Sequence, residues 1–126
     1  MSLDALSTPC LLIEQGRLRR NLARMQETAD ANDVALRPHV KTHKSVALAE
    51  RQRERGASGL TVATVEEAAA FVEAGAEDVR VAYPVTGRDK HEQLAALRDR
   101  ACLSCTVDTA AGAEQAAAVH SVHDRP

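Results

Sequence analysis

Apolar positions along the chain follow two rhythms, an alternation of two and a spacing of three and four, and the switches between them mark out strands and helices. Cys10 to Ile13, an apolar run after Thr8-Pro9, predicts a short strand that stops at Gln15-Gly16. Leu18, Leu22, Met25 and Ala29 then fall on one helical stripe, which Asn32-Asp33 ends. Leu36, Pro38 and Val40 alternate with Arg37, His39 and Lys41, so a strand leads into Lys41 with the three basic side chains on one face. Ser45 predicts the cap of a helix to about Arg55 with Val46 and Ala49 on its apolar side, and Gly56 stops it. Leu60 to Thr64 reads as a strand, and Thr64-Val65-Glu66-Glu67 as a capping box for a helix with Val65, Ala68, Ala69 and Val72 on one face, stopped by Gly75. Val79 to Tyr83 is the next strand, closed by Pro84, and Arg88 to Leu97 the next helix. A strand at Cys102 follows, and Asp108 is expected to cap a last alanine-rich helix running to about Val122.

An internal repeat organises these pieces. Gly56-Ala57, two residues and Leu60-Thr61-Val62-Ala63 realign with Gly75-Ala76, two residues and Val79-Arg80-Val81-Ala82, nineteen positions on. Helix, glycine stop, short loop and strand repeated in this way predict parallel strands joined by right-handed helical crossovers. Four strand-helix units, with strands beginning near Leu36, Leu60, Val79 and Cys102, make half of an eight-stranded (β/α) barrel, a fold of about 250 residues. The strand faces favour a barrel over a doubly wound open sheet. One face carries Arg37, His39, Lys41, Thr61, Arg80, Ser104, Thr106 and Asp108, and the other is apolar, whereas a sheet covered by helices on both sides is apolar on both. The fold class expected is therefore α/β, with parallel (β/α) units forming about half of a TIM-type barrel in a single domain over 1–126. Open strand edges in such a half barrel predict a homo-oligomer.

Composition refines this reading. Of the 44% hydrophobic residues only Phe71 and Tyr83 are aromatic, and the small alanine and valine side chains suit helices packed closely on a sheet. A net charge of -2 offers no general attraction to nucleic acid, and no stacking aromatics flank the one basic cluster, so no nucleic-acid partner is expected. With no basic region followed by an apolar run at the N-terminus and no stretch of membrane-spanning length, no membrane partner and a cytoplasmic location are expected. The odd count of cysteines, Cys10, Cys102 and Cys105, fits a reducing compartment. Cys102-Leu103-Ser104-Cys105 spells C-x-x-C, but strand alternation sends the two thiols to opposite faces, and both read as structural.

The candidate chemistry lies in Arg37-Pro38-His39-Val40-Lys41-Thr42-His43-Lys44. A lysine crowded by cations has its ammonium form disfavoured, which frees the amine to attack a carbonyl and form a Schiff base. The alternative is a solvated basic strand that meets phosphates. His39 and His43 have a spacing that could ligate a metal, but the lysine between them opposes a cation, and no metal ligand is expected in this stretch.

That stretch, with Thr8-Pro9, Gly59-Leu60-Thr61-Val62-Ala63-Thr64, Glu66-Glu67-Ala68 and Ala82-Tyr83-Pro84-Val85, resembles the D-threonine aldolase and D-serine dehydratase group. The resemblance runs from Thr8 to about Val119 and implies a barrel of the alanine racemase N-terminal type and dependence on pyridoxal 5′-phosphate. It further implies a lyase or aldolase acting on a small D-configured β-hydroxy amino acid, with Lys41 as Schiff-base residue and base. His39 and Arg37 would be lumen residues that tune or support it, and His39 would join Lys41 as a cofactor-binding residue. A divalent metal, Zn or Mn, is implied for the family, but its site belongs to a C-terminal β-rich domain. That domain also supplies most phosphate contacts and normally takes the strand at Cys10 to Ile13, so the chain resembles an N-terminal fragment. A pyridoxal phosphate binder without turnover, or an inactive half barrel, is the alternative reading.

Overall fold

In a computed structural model of the chain, which describes residues 3–120, the internal repeat becomes a strand register. Strand β1 (Leu60–Val62) lies parallel to β2 (Asp78–Pro84), with Leu60 beside Val79, Thr61 beside Arg80 and Val62 beside Val81. Strand β3 (Cys102–Thr106) adds in parallel on the far side of β2, in the order β1-β2-β3, with a shift in register between Val81 and Pro84. Gly56 and Gly75 turn the chain into each repeat unit at φ 113° and 91°, the left-handed region that favours glycine.

Helix α2 (Val46–Arg53) precedes β1, α3 (Val65–Glu73) and α4 (Arg88–Ala96) lie between the parallel strands in sequence, and α5 (Ala110–His120) follows β3. The core holds Leu60, Val62, Val79 and Val81 from the sheet, with Ala49, Val65, Ala68, Phe71, Val72 and Leu94 from the helices. Each buried valine or leucine contributes about 1.5–3 kcal/mol by leaving water, so one fully apolar sheet face suffices to hold these helices. The other face stays open: Arg80, Ala82 and Ser104 are exposed, while Thr61 is nearly buried. This is the polar face expected of a barrel lumen, on a sheet that does not close.

Local chemistry explains the helix ends. Thr64 Oγ1 accepts the Glu67 N–H at 3.1 Å and Ser45 Oγ accepts the Leu48 N–H at 3.3 Å, as the capping pattern predicts. The last helix departs from expectation. Thr109, not Asp108, caps it, its Oγ1 accepting the Gly112 N–H at 3.1 Å. Threonine offers the same acceptor one position later, and the backbone leaves β3 late enough to use it. The predicted end near Val122 lies outside the described residues.

Three further expectations are corrected. Cys10 to Ile13 forms no strand: it is exposed and without regular structure, with Leu11 98% accessible, and no strand among the described residues pairs with it. Helix α1 (Gln15–Ala31) begins at Gln15, where Glu14 accepts the Gly16 and Arg17 N–H groups. Its stripe keeps Ala29 buried as expected and Leu18 and Leu22 half-buried, but Gln26 is buried in place of Met25, because Gln26 packs into the space left by Gly56. The strand predicted over Leu36 to Lys41 shrinks to a single parallel bridge, His39 to Thr61, followed by a 3-10 turn over Val40–Thr42. Pro38 has no N–H to give, and the segment has a neighbour on one side only.

Candidate functional site

Lys41 stands in that 3-10 turn, at the carboxyl end of the one-bridge segment and beside the open polar face of the sheet. Val40 next to it is fully buried, so the turn is anchored by an apolar side chain while Lys41 is exposed. His39 precedes the turn, half-buried, its Nδ1 accepting the Lys41 N–H at 3.4 Å. His39, Thr61, Arg80 and Ser104 form one row across the sheet by register, so His39 belongs to the polar face one layer below Lys41.

The basic residues around Lys41 do not crowd it as free charges. Arg37 reaches across β1 and donates from both Nη atoms to the Asp78 carboxylate, at 2.5 and 2.6 Å. Asp78 holds the Arg37 guanidinium above its ordinary pKa, against the opposing effect of burial. Lys44, at φ 47°, places Nζ 3.1 Å from Glu67 Oε1. Glu67 Oε2 in turn accepts the Ala63 N–H at 2.8 Å. Burial works against the Glu67 charge, but the Ala63 N–H and Lys44 outweigh it and hold the carboxyl below the usual range. Among the described residues Lys41 has no carboxylate within ion-pair distance, in contrast to both cations that flank it.

Asp78 and Glu67, the two partners, were missed as site residues in the sequence. The repeat held a signal for the first: Gly59 in one unit aligns with Asp78 in the next. A Cβ at Gly59 would fall against the Arg37 guanidinium and 2.9 Å from the Asp78 carbonyl oxygen, so the glycine clears the path along which Arg37 crosses β1.

His39 and His43 each turn Nδ1 to the backbone N–H two residues on. Nδ1 of His43 accepts the Ser45 N–H at 3.1 Å, as that of His39 accepts Lys41. Among the described residues no three His, Cys, Asp or Glu side chains gather into a metal-binding group, so these residues do not fit the divalent metal implied by the resemblance. Cys102 is exposed and Cys105 half-buried, on opposite faces of β3, and burial pushes the Cys105 thiol up. No helix among the described residues is long and apolar enough to cross a membrane.

Comparison with known proteins places this geometry. The family described as alanine racemase, N-terminal domain, matches residues 13–126. The chain is 46% identical over 118 residues to D-threo-3-hydroxyaspartate dehydratase of Delftia sp. (strain HT23), covering 93% of this chain and 31% of that protein. It is 41% identical over 108 residues to D-threonine aldolase of Arthrobacter sp, covering 86% of this chain and 28% of that one. Among solved structures, D-threonine aldolase from Filomicrobium marinum superposes with a TM-score of 0.92 at 36% identity, covering 95% of this chain and 32% of that chain. The chain thus spans about a third of the length of the relatives it matches.

Proposed function

The chain belongs to the alanine racemase N-terminal domain family, and from that premise we propose that it is the lysine-bearing part of a pyridoxal phosphate-dependent lyase or aldolase for D-configured β-hydroxy amino acids. One observation of the site carries the reading: among the described residues Lys41 keeps its amine free of any carboxylate, while Arg37 and Lys44, its flanking cations, are both paired. An exposed amine at the carboxyl end of a parallel sheet, beside a polar face, fits a group held covalently through Nζ. Bound there, the cofactor supplies the electron sink for breaking a bond at the substrate α-carbon. Lys41 would then act at that carbon, either as the base that takes its proton while the β-hydroxyl leaves as water, or, where the Cα–Cβ bond breaks and the β-hydroxyl gives up its proton, as the group that delivers a proton to Cα, and His39 supports it from one layer below. The substrate is a small D-amino acid of the kind named for the relatives, a hydroxylated aspartate or threonine. The divalent metal of the resemblance has no fitting set of residues in this stretch, and no step is assigned to it. Three free cysteines support a reducing, cytoplasmic setting, and the open sheet supports a homo-oligomer.

Protein incubated with pyridoxal phosphate should show a visible absorbance band that borohydride fixes, with the label mapping to Lys41 by mass spectrometry. Lys41→Ala should lack it. An unchanged band in that variant overturns the assignment. A second reading is binding without turnover. Incubation with D-threonine and D-serine, with and without divalent metal, separates the two: release of glycine or pyruvate supports the enzyme, and a fixed band without product supports the binder.

A further inference from the structure

The segment that carries Lys41 is poorly held by its backbone. Ser58 N–H donates to the Leu36 carbonyl and Thr61 N–H to the Pro38 carbonyl, each at 2.8 Å, and Pro38 returns no donor. Beyond His39, which still bridges Thr61, the chain leaves the sheet into the 3-10 turn, where its bonds are local, such as Lys44 N–H to the Val40 carbonyl at 2.9 Å. Ser58 Oγ and Thr61 Oγ1 add donors to the Leu36 and Arg37 carbonyls at 3.0 and 3.4 Å, but all of these bonds fall before Lys41, and one buried valine, Val40, is a weak fixing for a residue whose amine must stand at a defined place.

We infer that Arg37 and Lys44 are fasteners, positioning residues that pin the Lys41 segment to the sheet at both ends through Asp78 and Glu67. This rests on the reading of Lys41 as the cofactor-bearing residue. Arg37 lies four positions before Lys41 and Lys44 three after, so the two ion pairs bracket it. The first crosses β1 to reach β2. Its two parallel contacts fix direction as well as distance, and Gly59 leaves the guanidinium room to lie against β1. The second ends on the junction of β1 and α3, because the carboxylate that meets Lys44 also accepts the Ala63 N–H. Lys44 holds a left-handed backbone conformation to make it, one that a side-chain-bearing residue adopts at a cost. Arg37 and Lys44 are thereby engaged with carboxylates, and their work is to locate Lys41 rather than to receive an anion.

The experiment measures hydrogen exchange by mass spectrometry over peptides spanning residues 36–44, alongside borohydride-fixed pyridoxal phosphate at Lys41 relative to Lys90. The variants are Asp78→Asn, Lys44→Gln, Lys44→Arg and Gly59→Ala. Glu92→Gln, which removes an exposed pair with Arg88 on α4, is the control. Asp78→Asn, Lys44→Gln and Gly59→Ala should each speed exchange over 36–44 by about fivefold and lower the Lys41-to-Lys90 labelling ratio by a similar factor. Lys44→Arg should restore both, and Glu92→Gln should change neither. A merely structural role would lower thermal stability without moving the labelling ratio at temperatures where the protein stays folded. Unchanged exchange over 36–44 in both Asp78→Asn and Lys44→Gln overturns the inference. Should Asp78→Asn fail to fold, Lys44→Gln decides, since its ammonium is largely exposed. If the unmodified chain shows no preference for Lys41, the cofactor reading fails, and the exchange measurement alone judges the fasteners.

Discussion

Glu67 does three things at once. Its backbone N–H donates to the Thr64 cap at the start of α3, while its side chain, 13% exposed, accepts the Ala63 N–H and holds Lys44. Its carboxyl sits below the ordinary value of 4.5 in the folded chain. A carboxylate whose folded pKa is depressed contributes stability that is complete above the unfolded value and is lost as pH falls through the folded one. His120 adds a second acid-sensitive step: burial first, then His91 and Arg98, lower it from 6.5, so the fold prefers its neutral form and loses stability as pH falls below that value. Denaturation midpoints should therefore fall in two stages on acidification, the first below 6.5 and the second below 4.5. Glu67→Gln should flatten the second stage and leave the first, as measured by urea titration from neutral to acid pH. A second stage of undiminished slope in that variant would show that other carboxylates dominate it.

At the scale of the element, the helix starts followed rules that act within a few residues, and these were legible. Ser45 and Thr64 cap where the pattern put them, and the glycines at 56 and 75 stop helices at positive φ. Where two acceptors stood side by side, as in Asp108-Thr109, the pattern could not choose between them, since the choice depends on where the chain leaves β3. Thr109→Ala should cost about 1 kcal/mol of stability, and Asp108→Ala should be close to neutral, in the same thermal or chemical denaturation assay. Equal losses from both would assign a capping role to Asp108 after all. The strand into Lys41 was less legible. Its period-two alternation is real, but strand formation needs a partner's hydrogen bonds, and Pro38 with one neighbour leaves a bridge and a turn.

Viewed whole, the molecule is a parallel α/β sheet covered on one face, matching relatives with barrels of the alanine racemase N-terminal type. Two apolar features lie open among the described residues. Leu11, Leu12 and Ile13 are exposed in a segment without regular structure, and beside β3 a cleft of about 280 Å³ is lined by residues that include Leu94, Ala101, Leu103, Cys105 and His120. Exposed apolar chain and an unpaired strand edge favour association. Sedimentation velocity should show concentration-dependent oligomers, shifted toward monomer when Leu11 and Leu12 are both replaced by lysine. A single monomer boundary at every concentration would overturn this expectation.

The amino-acid sequence by itself determined the order of elements, the parallel register through its repeat, the polar and apolar faces, and Lys41 as the residue of interest. These are consequences of short-range periods, caps and turns, and in the last case of a motif. Only the tertiary structure decided which cation in that motif is free. Arg37 finds Asp78 across 41 residues of chain and Lys44 finds Glu67 on another element, and no local pattern encodes a partner at that separation. Spacing along a strand reports which side chains share a face; whether a charge there stays free depends on what the fold brings opposite it.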